Sequence, residues 1–105
     1  MDNFTEKDEA IRLFRDSIPI FQALSDPARQ DIIILLDEQG QLNVTEIANH
    51  SKLSRPAISH HLKVLRDIGL VSIDQRGTQR YYSLSLKDSV EKLKALITVV
   101  EKTCL

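Results

Sequence analysis

The sequence of 105 residues predicts a mainly α-helical fold with a small β-hairpin, in the arrangement called a winged helix-turn-helix. Three observations predict this fold. The chain has two short helical segments joined by a tight turn, two segments of alternating apolar residues around a glycine-containing turn, and an apolar stripe near each end. The length is that of one domain, with about five helices and two strands expected in residues 1–105. Its expected parts are the terminal helices (1–24 and 87–105), the helix-turn-helix (43–68) and the wing (70–85).

A central helix is predicted in the segment SDPARQDIIILLDEQG, ahead of the helix-turn-helix. Asp26 is a suitable N-cap, Pro27 occupies the first helical position, and Gly40 is a suitable terminator. The apolar run IIILL between charged flanks indicates that this helix is fully packed in the core.

The helix-turn-helix is recognised by its caps and by its apolar periodicity. Asn43-Val44-Thr45-Glu46 forms a capping box for the first helix, and Ser54 caps the second, which is expected to end at Gly69. On a wheel at about 100° per residue, the side that faces the core carries Ile58, His61, Leu62, Leu65 and Ile68. The opposite side is polar and basic.

The charge of the chain is unevenly distributed, although its net value is only −1. Residues 50–80 carry six Lys or Arg against two Asp, a net charge of +4, whereas residues 1–49 carry four against ten, a net charge of −6. The local field steers a polyanion, so the middle of the chain is where double-stranded DNA is expected to bind.

The exposed side of the second helix has the residue types that read a DNA major groove. Arg and Lys reach guanine acceptors or phosphates, and Ser and His hydrogen-bond to base edges. Basic and amide side chains near the wing tip suit neighbouring phosphates or the minor groove. The residues expected to contact DNA are Thr45, Ser54, Arg55, Pro56, Ser59, His60, Lys63, Arg66, Arg76, Gln79 and Arg80.

The adjacent histidines His60 and His61 are predicted to have separate roles. Successive residues of a helix diverge by about 100°, unlike the i, i+4 spacing that places two metal ligands on one face. His61 is therefore expected at the margin of the core, and His60 on the DNA-reading side.

Two stretches of the chain resemble a known protein family. The runs ALSDPARQDIIILL and NVTEIANHSKLSRPAISHHLKVLRDIGLVSIDQRGTQRYYSL are similar to winged-helix bacterial regulators of the ArsR/SmtB type. The resemblance covers residues 20–86, with Lys52 in the turn where many relatives have Gly. It implies a homodimer that binds a palindromic operator and represses transcription until an effector, here unknown, arrives.

The terminal helices are the regions that this family uses to dimerise. On the first helix Phe4, Ile11 and Ile18 recur every seven residues with Phe14 and Phe21 offset by three, although Pro19 is expected to kink or divide the helix. The residues expected at a dimer interface are Phe4, Ile11, Phe14, Ile18, Val90, Leu93, Ile97 and Val100.

No cofactor and no metal is expected. The resemblance implies a Cys-x-Cys metal site where this chain has Asn43 and Thr45, which are not soft ligands. A second family site falls on Leu86, Asp88, Val99 and Lys102, and a two-residue shift gives only Asp88, Glu101 and Cys104 as ligands. Cys104 is interpreted as an apolar residue that continues the stripe of Val90 and Ile97 on the last helix, or as part of a frayed terminus. The alternative is a cross-dimer disulfide or an oxidant-sensitive thiol.

The predicted function is sequence-specific, DNA-binding regulation of transcription; the resemblance implies a repressor, and no enzymatic activity is expected. The sequence has no Gly-rich phosphate loop and no nucleophile–base set. A cytoplasmic location is expected, because the chain has one cysteine, no signal-peptide pattern and no membrane-length apolar run. Two alternatives remain open: a winged-helix protein–protein interaction module, and a metal or redox sensor with a non-standard C-terminal site.

Overall fold

The computed structural model describes residues 5–105, so the predicted stripe residue Phe4 lies outside the described residues. Five helices and one antiparallel pair of strands are found in this range, which confirms the predicted fold class. The elements in chain order are α1 (Glu6–Leu24), α2 (Pro27–Gln39), α3 (Val44–Asn49), α4 (Arg55–Ile68), β1 (Val71–Arg76), β2 (Gln79–Leu84) and α5 (Lys87–Cys104).

The main core lies between α2, α3, α4 and the wing. Its most completely buried large side chains are Leu36, Ile47, Ile58, Leu62, Leu65 and Leu70. As predicted, Asp26 caps α2 by accepting a 2.8 Å hydrogen bond from the backbone N–H of Ala28, and Gly40 ends the helix with a φ of 85°. The expectation that α2 is fully packed is wrong at Ile34, whose exposure is 55%, because only one face of α2 meets the core.

The wing is a tight hairpin. The glycine-containing turn that the sequence predicts consists of Gly77 and Thr78 alone, because Gln75 and Arg76 continue β1. Gly77 has a φ of 61°, which favours glycine and matches a two-residue hairpin loop. Arg76 is consequently the cross-strand partner of Gln79.

The helices α1 and α5 pack against each other in an antiparallel pair. Ala10 and Leu13 near the start of α1 contact Leu96 and Val99 near the end of α5, forming a second small core. The opposite ends of both helices join the main core through Ala23 and Leu86. The Cα radius of gyration is 16.8 Å, against about 13 Å for a compact chain of 100 residues, because this pair extends past the main core.

The apolar stripe predicted on α1 faces solvent in the single chain. The buried residues of α1 are Ala10, Leu13, Ser17, Ile20 and Ala23, a second stripe that the sequence reading missed. The predicted stripe lies one residue further on, about 100° around the helix, and it leaves Phe14 48% exposed. Pro19 does not divide the helix, which is continuous from Glu6 to Leu24. Proline has no N–H to donate to the carbonyl of Arg15, but Pro19 is exposed, so water can hydrogen-bond to that carbonyl instead.

A matching stripe occurs on α5, where Val90 and Ile97 are exposed while Ser89, Leu96 and Val99 are buried. Because the helices are antiparallel and each exposed stripe is one residue beyond the buried one, both exposed stripes lie on the same side of the pair. We call the set the terminal-helix apolar surface: Ile11, Phe14, Ile18, Phe21, Val90 and Ile97. Leu93 is half-buried, and Val100 packs partly against the second core.

None of the helices in residues 5–105 combines the length and apolar character that crossing a membrane requires.

Candidate nucleic-acid interface

The orientation of α4 is fixed by its caps and by its buried face. Ser54 accepts a hydrogen bond from the N–H of Ala57 at the first turn, and Gly69 ends the helix in the left-handed conformation with a φ of 86°. Ile58, Leu62 and Leu65 have no exposed surface. Rotation of α4 would remove these side chains from the core, so the opposite face is held towards solvent.

Every residue that the sequence predicts to contact DNA is exposed. These residues are Thr45, Ser54, Arg55, Pro56, Ser59, His60, Lys63, Arg66, Arg76, Gln79 and Arg80. They lie on α3, on α4 and its N-cap, and on the wing, and the fold brings these elements to one region.

Six of the eleven line a cleft of about 460 Å³ between α4 and the wing: Thr45, Ser59, Lys63, Arg66, Gln79 and Arg80. The cleft also includes Asn43 and Thr78, which the sequence reading did not place there. The remaining five, Ser54, Arg55, Pro56, His60 and Arg76, are exposed but do not line it. Three cations therefore converge on one concave surface.

The cation Lys63 has an intramolecular partner. Its ammonium lies 2.8 Å from a carboxylate oxygen of Asp67, one turn further along α4. The hydrogen bond from Lys63 is the main reason that the pKa of Asp67 is lowered, and the nearby charges of Lys63 and Arg66 act in the same direction. Both side chains are at least half exposed, so this pair is weak and a DNA phosphate can compete for Lys63.

The wing cations Arg76 and Arg80 differ in their surroundings. Arg76 donates from Nε to Asp74 at 3.0 Å and from Nη2 to Gln41 at 2.6 Å, and its guanidinium lies 4.7 Å from the centre of the Tyr81 ring. Arg80 forms no ion pair with any residue in 5–105. The charge of Arg80 is thus the less neutralised of the two.

The two histidines occupy different environments, as the helical wheel predicts. His60 is exposed, whereas His61 is half-buried with its Nδ1 3.2 Å from Nη1 of Arg29. A guanidinium is always a donor, so Nδ1 must accept and the proton of the neutral ring is assigned to Nε2.

Arg29 connects this histidine to the end of α1, a contact that the sequence reading missed. It donates to the carbonyls of Ala23 at 2.7 Å and Gln22 at 3.2 Å, and lies 3.6 Å from Asp26. The pKa of Asp26 is lowered by the N–H of Ala28 and, to a smaller extent, by Arg29.

Several known bacterial regulatory proteins are similar to this chain in sequence. A family model described as "Bacterial regulatory protein, arsR family" matches residues 26–72. The transcriptional repressor SdpR of Bacillus subtilis is 40% identical over 74 residues, covering 68% of this chain and 81% of that protein. A cadmium resistance regulatory protein, the CadC homolog of Staphylococcus aureus, is 37% identical, covering 86% and 77%. The chain belongs to the ArsR family of bacterial regulatory proteins.

The fold of this ArsR-family protein is similar to that of a solved structure that matches the full length of the chain. The homodimeric winged helix-turn-helix DNA-binding domain Mb0332 of Mycobacterium bovis superposes with a TM-score of 0.71 at 30% identity. The match covers 100% of this chain and 94% of that domain, so it includes the wing and both terminal helices.

The residues at candidate metal positions of this ArsR-family protein have other roles or lie apart. Asn43 caps α3 through its Oδ1, 2.8 Å from the N–H of Glu46, and Thr45 lines the cleft. Asp88 is in the first turn of α5 and Glu101 and Cys104 are near its end, about 20 Å away along the helix. No group of three or more metal-ligating side chains occurs within residues 5–105.

Proposed function

We propose that this ArsR-family protein is a homodimeric transcriptional repressor that binds a palindromic operator in cytoplasmic DNA. The observation that carries the proposal is the cleft in which Lys63, Arg66 and Arg80 converge with Ser59 and Gln79. A concave surface with three cations and several hydrogen-bonding side chains suits the charged backbone and base edges of DNA.

The proposed division of roles follows the position of each side chain. Ser59, His60 and Lys63 lie on the outer side of α4 and would face base edges in the major groove. Arg55 and Arg66, at the two ends of that helix, would contact phosphates, and the wing would contact the adjacent backbone or minor groove.

The proposed dimer forms through the terminal-helix apolar surface. Six large apolar side chains on one side of the α1–α5 pair are exposed in the single chain, and a two-fold contact between two such surfaces would bury them. The homodimeric state of Mb0332, which matches both terminal helices, supports this arrangement. Two reading helices related by a two-fold axis require two half-sites in inverted orientation.

Repression is supported by the relatives that carry that description, among them SdpR. The signal that relieves it is proposed not to be a metal at the family's thiolate position, because Asn43 and Thr45 stand there. A C-terminal site made of Asp88, Glu101 and Cys104 would need ligands from two chains, because these residues are separated along one helix.

Selection of bound sequences from random duplex DNA tests the proposal, with parallel selections containing Zn²⁺, Cd²⁺ or hydrogen peroxide. We expect an inverted repeat to be enriched by the wild type and by Lys102→Ala, an exposed cation in the last turn of α5, but not by Lys63→Ala. A result with no enriched sequence would contradict the proposal and favour the protein–protein module. Loss of enrichment only with metal or peroxide would instead favour a metal or redox sensor.

A further inference from the structure

The segment that connects α2 to α3 is paired with the wing. Leu42 and Tyr82 exchange two backbone hydrogen bonds, of 3.1 Å and 2.8 Å, as an isolated antiparallel bridge. Both side chains are buried, with exposures of 6% and 8%. The connector therefore lies beside β2 like a short third strand and is held at that position by the core.

The residues on either side of Leu42 reach the wing with their side chains. Successive residues of an extended chain point to opposite faces, so Gln41 and Asn43 share the face that Leu42 does not use. Gln41 accepts from Arg76 at 2.6 Å, and Asn43 donates from Nδ2 to Oε1 of Gln79 at 3.3 Å. Arg76 and Gln79 are themselves cross-strand partners at the tip.

The guanidinium of Arg76 is held on three sides. Asp74 accepts from Nε, Gln41 accepts from Nη2, and the ring of Tyr81 covers one face. A guanidinium has five N–H donors, and these two hydrogen bonds leave both N–H groups of Nη1 and one of Nη2 unused. One N–H of Nη1 and one of Nη2 form a free edge that can bind a phosphate or a base acceptor while the hydrogen bonds to Asp74 and Gln41 are kept.

We propose that Gln41 is a positioning residue that orients Arg76 for DNA, and that the connector and the wing tip act as one preformed unit. The inference rests on the proposed function, since the edge of Arg76 has a ligand only if the wing meets DNA. The expected gain in DNA affinity is entropic, because an arginine side chain that is already ordered loses less conformational freedom when it binds DNA. Gln41 itself need not touch DNA.

A double-mutant cycle on operator binding tests the inference, with Gln41→Met, Arg76→Ala and the double variant measured by fluorescence anisotropy. Methionine keeps the length of the side chain and removes the acceptor. We expect Gln41→Met to weaken DNA affinity about two- to tenfold for each wing when Arg76 is present. In the Arg76→Ala background, Gln41→Met should not change DNA affinity. Gln39→Met, at the exposed end of α2, is the matched control and should leave affinity unchanged.

A second measurement separates this inference from the proposed function. In the free protein, the ¹⁵Nη2–¹Hη signals of Arg76, which donates from Nη2 to Gln41, should exchange slowly with water and should broaden or exchange faster in Gln41→Met, at an unchanged melting temperature. An equal loss of affinity in both Arg76 backgrounds, or an unchanged Arg76 signal, would overturn the positioning role. If Lys63→Ala and Arg80→Ala bind DNA as the wild type does, the proposed function fails, whatever the Arg76 signal shows.

Discussion

Arg80 provides a quantitative test of the proposed DNA surface, because it lines the cleft and has no ion-pair partner within residues 5–105. Each phosphate that a protein cation neutralises contributes about −0.9 to the slope of log K against log salt. Five exposed cations, Arg55, Lys63, Arg66, Arg76 and Arg80, belong to the proposed surface of one chain. If all of them met phosphates in a dimer, the slope would be about −9.

The change Arg80→Ala removes one such contact from each protomer, so the slope should become less steep by about 2. The effect is measured by fluorescence anisotropy with a selected operator duplex between about 50 and 300 mM KCl, a range over which counterion release dominates. Lys102→Ala removes a cation from the far end of α5 and serves as the control. An unchanged slope for Arg80→Ala, or an equal change for both variants, would refute the assignment of the cleft to DNA.

Three further predictions follow from the contacts of the single chain. Asp67→Asn frees Lys63 and should raise DNA affinity several-fold in the same anisotropy assay. Because the pKa of Asp67 is lowered in the fold, its ion pair with Lys63 stabilises the protein above the unfolded pKa of about 3.9. The difference in urea midpoint between wild type and variant should therefore disappear as pH falls through the folded pKa. His61→Ala removes a partly buried acceptor of Arg29 and should lower the free energy of unfolding by about 1–2 kcal/mol, measured by urea denaturation, while an exposed-site change at His60 should leave it within about 0.5 kcal/mol. Phe14→Glu places a charge on the terminal-helix apolar surface and should yield monomers in sedimentation velocity with unchanged helical content, and a persistent dimer would place the interface elsewhere.

The sequence was sufficient where structure depends on local rules. The caps Asp26, Asn43 and Ser54 lie at the predicted helix starts, because each supplies an oxygen to amides within three residues. The buried and exposed sides of α4 follow from its periodicity alone, with Ile58 and Leu62 inside.

The sequence was insufficient where contacts join distant segments. Arg29 and His61 are 32 residues apart, and Gln41 and Arg76 are 35 apart, so no periodicity or cap connects them. The buried stripe of α1 was not predicted, because it includes the small residues Ala10 and Ser17 and therefore carries a weaker apolar signal than the exposed stripe with Phe14.

The contacts of Arg29 connect the two proposed activities, dimerisation and DNA reading. Through Gln22 and Ala23 this guanidinium binds the last turn of α1, whose outer stripe belongs to the proposed dimer surface, and through His61 it binds α4. In a two-fold dimer, the distance between the reading helices depends on how rigidly α4 is held to the helices at the axis. Three hydrogen bonds from one planar, fully charged group resist both sliding and rotation better than apolar packing alone, because each bond has a preferred direction. The side of α4 that carries His61 is therefore expected to influence which half-site spacing the proposed dimer accepts.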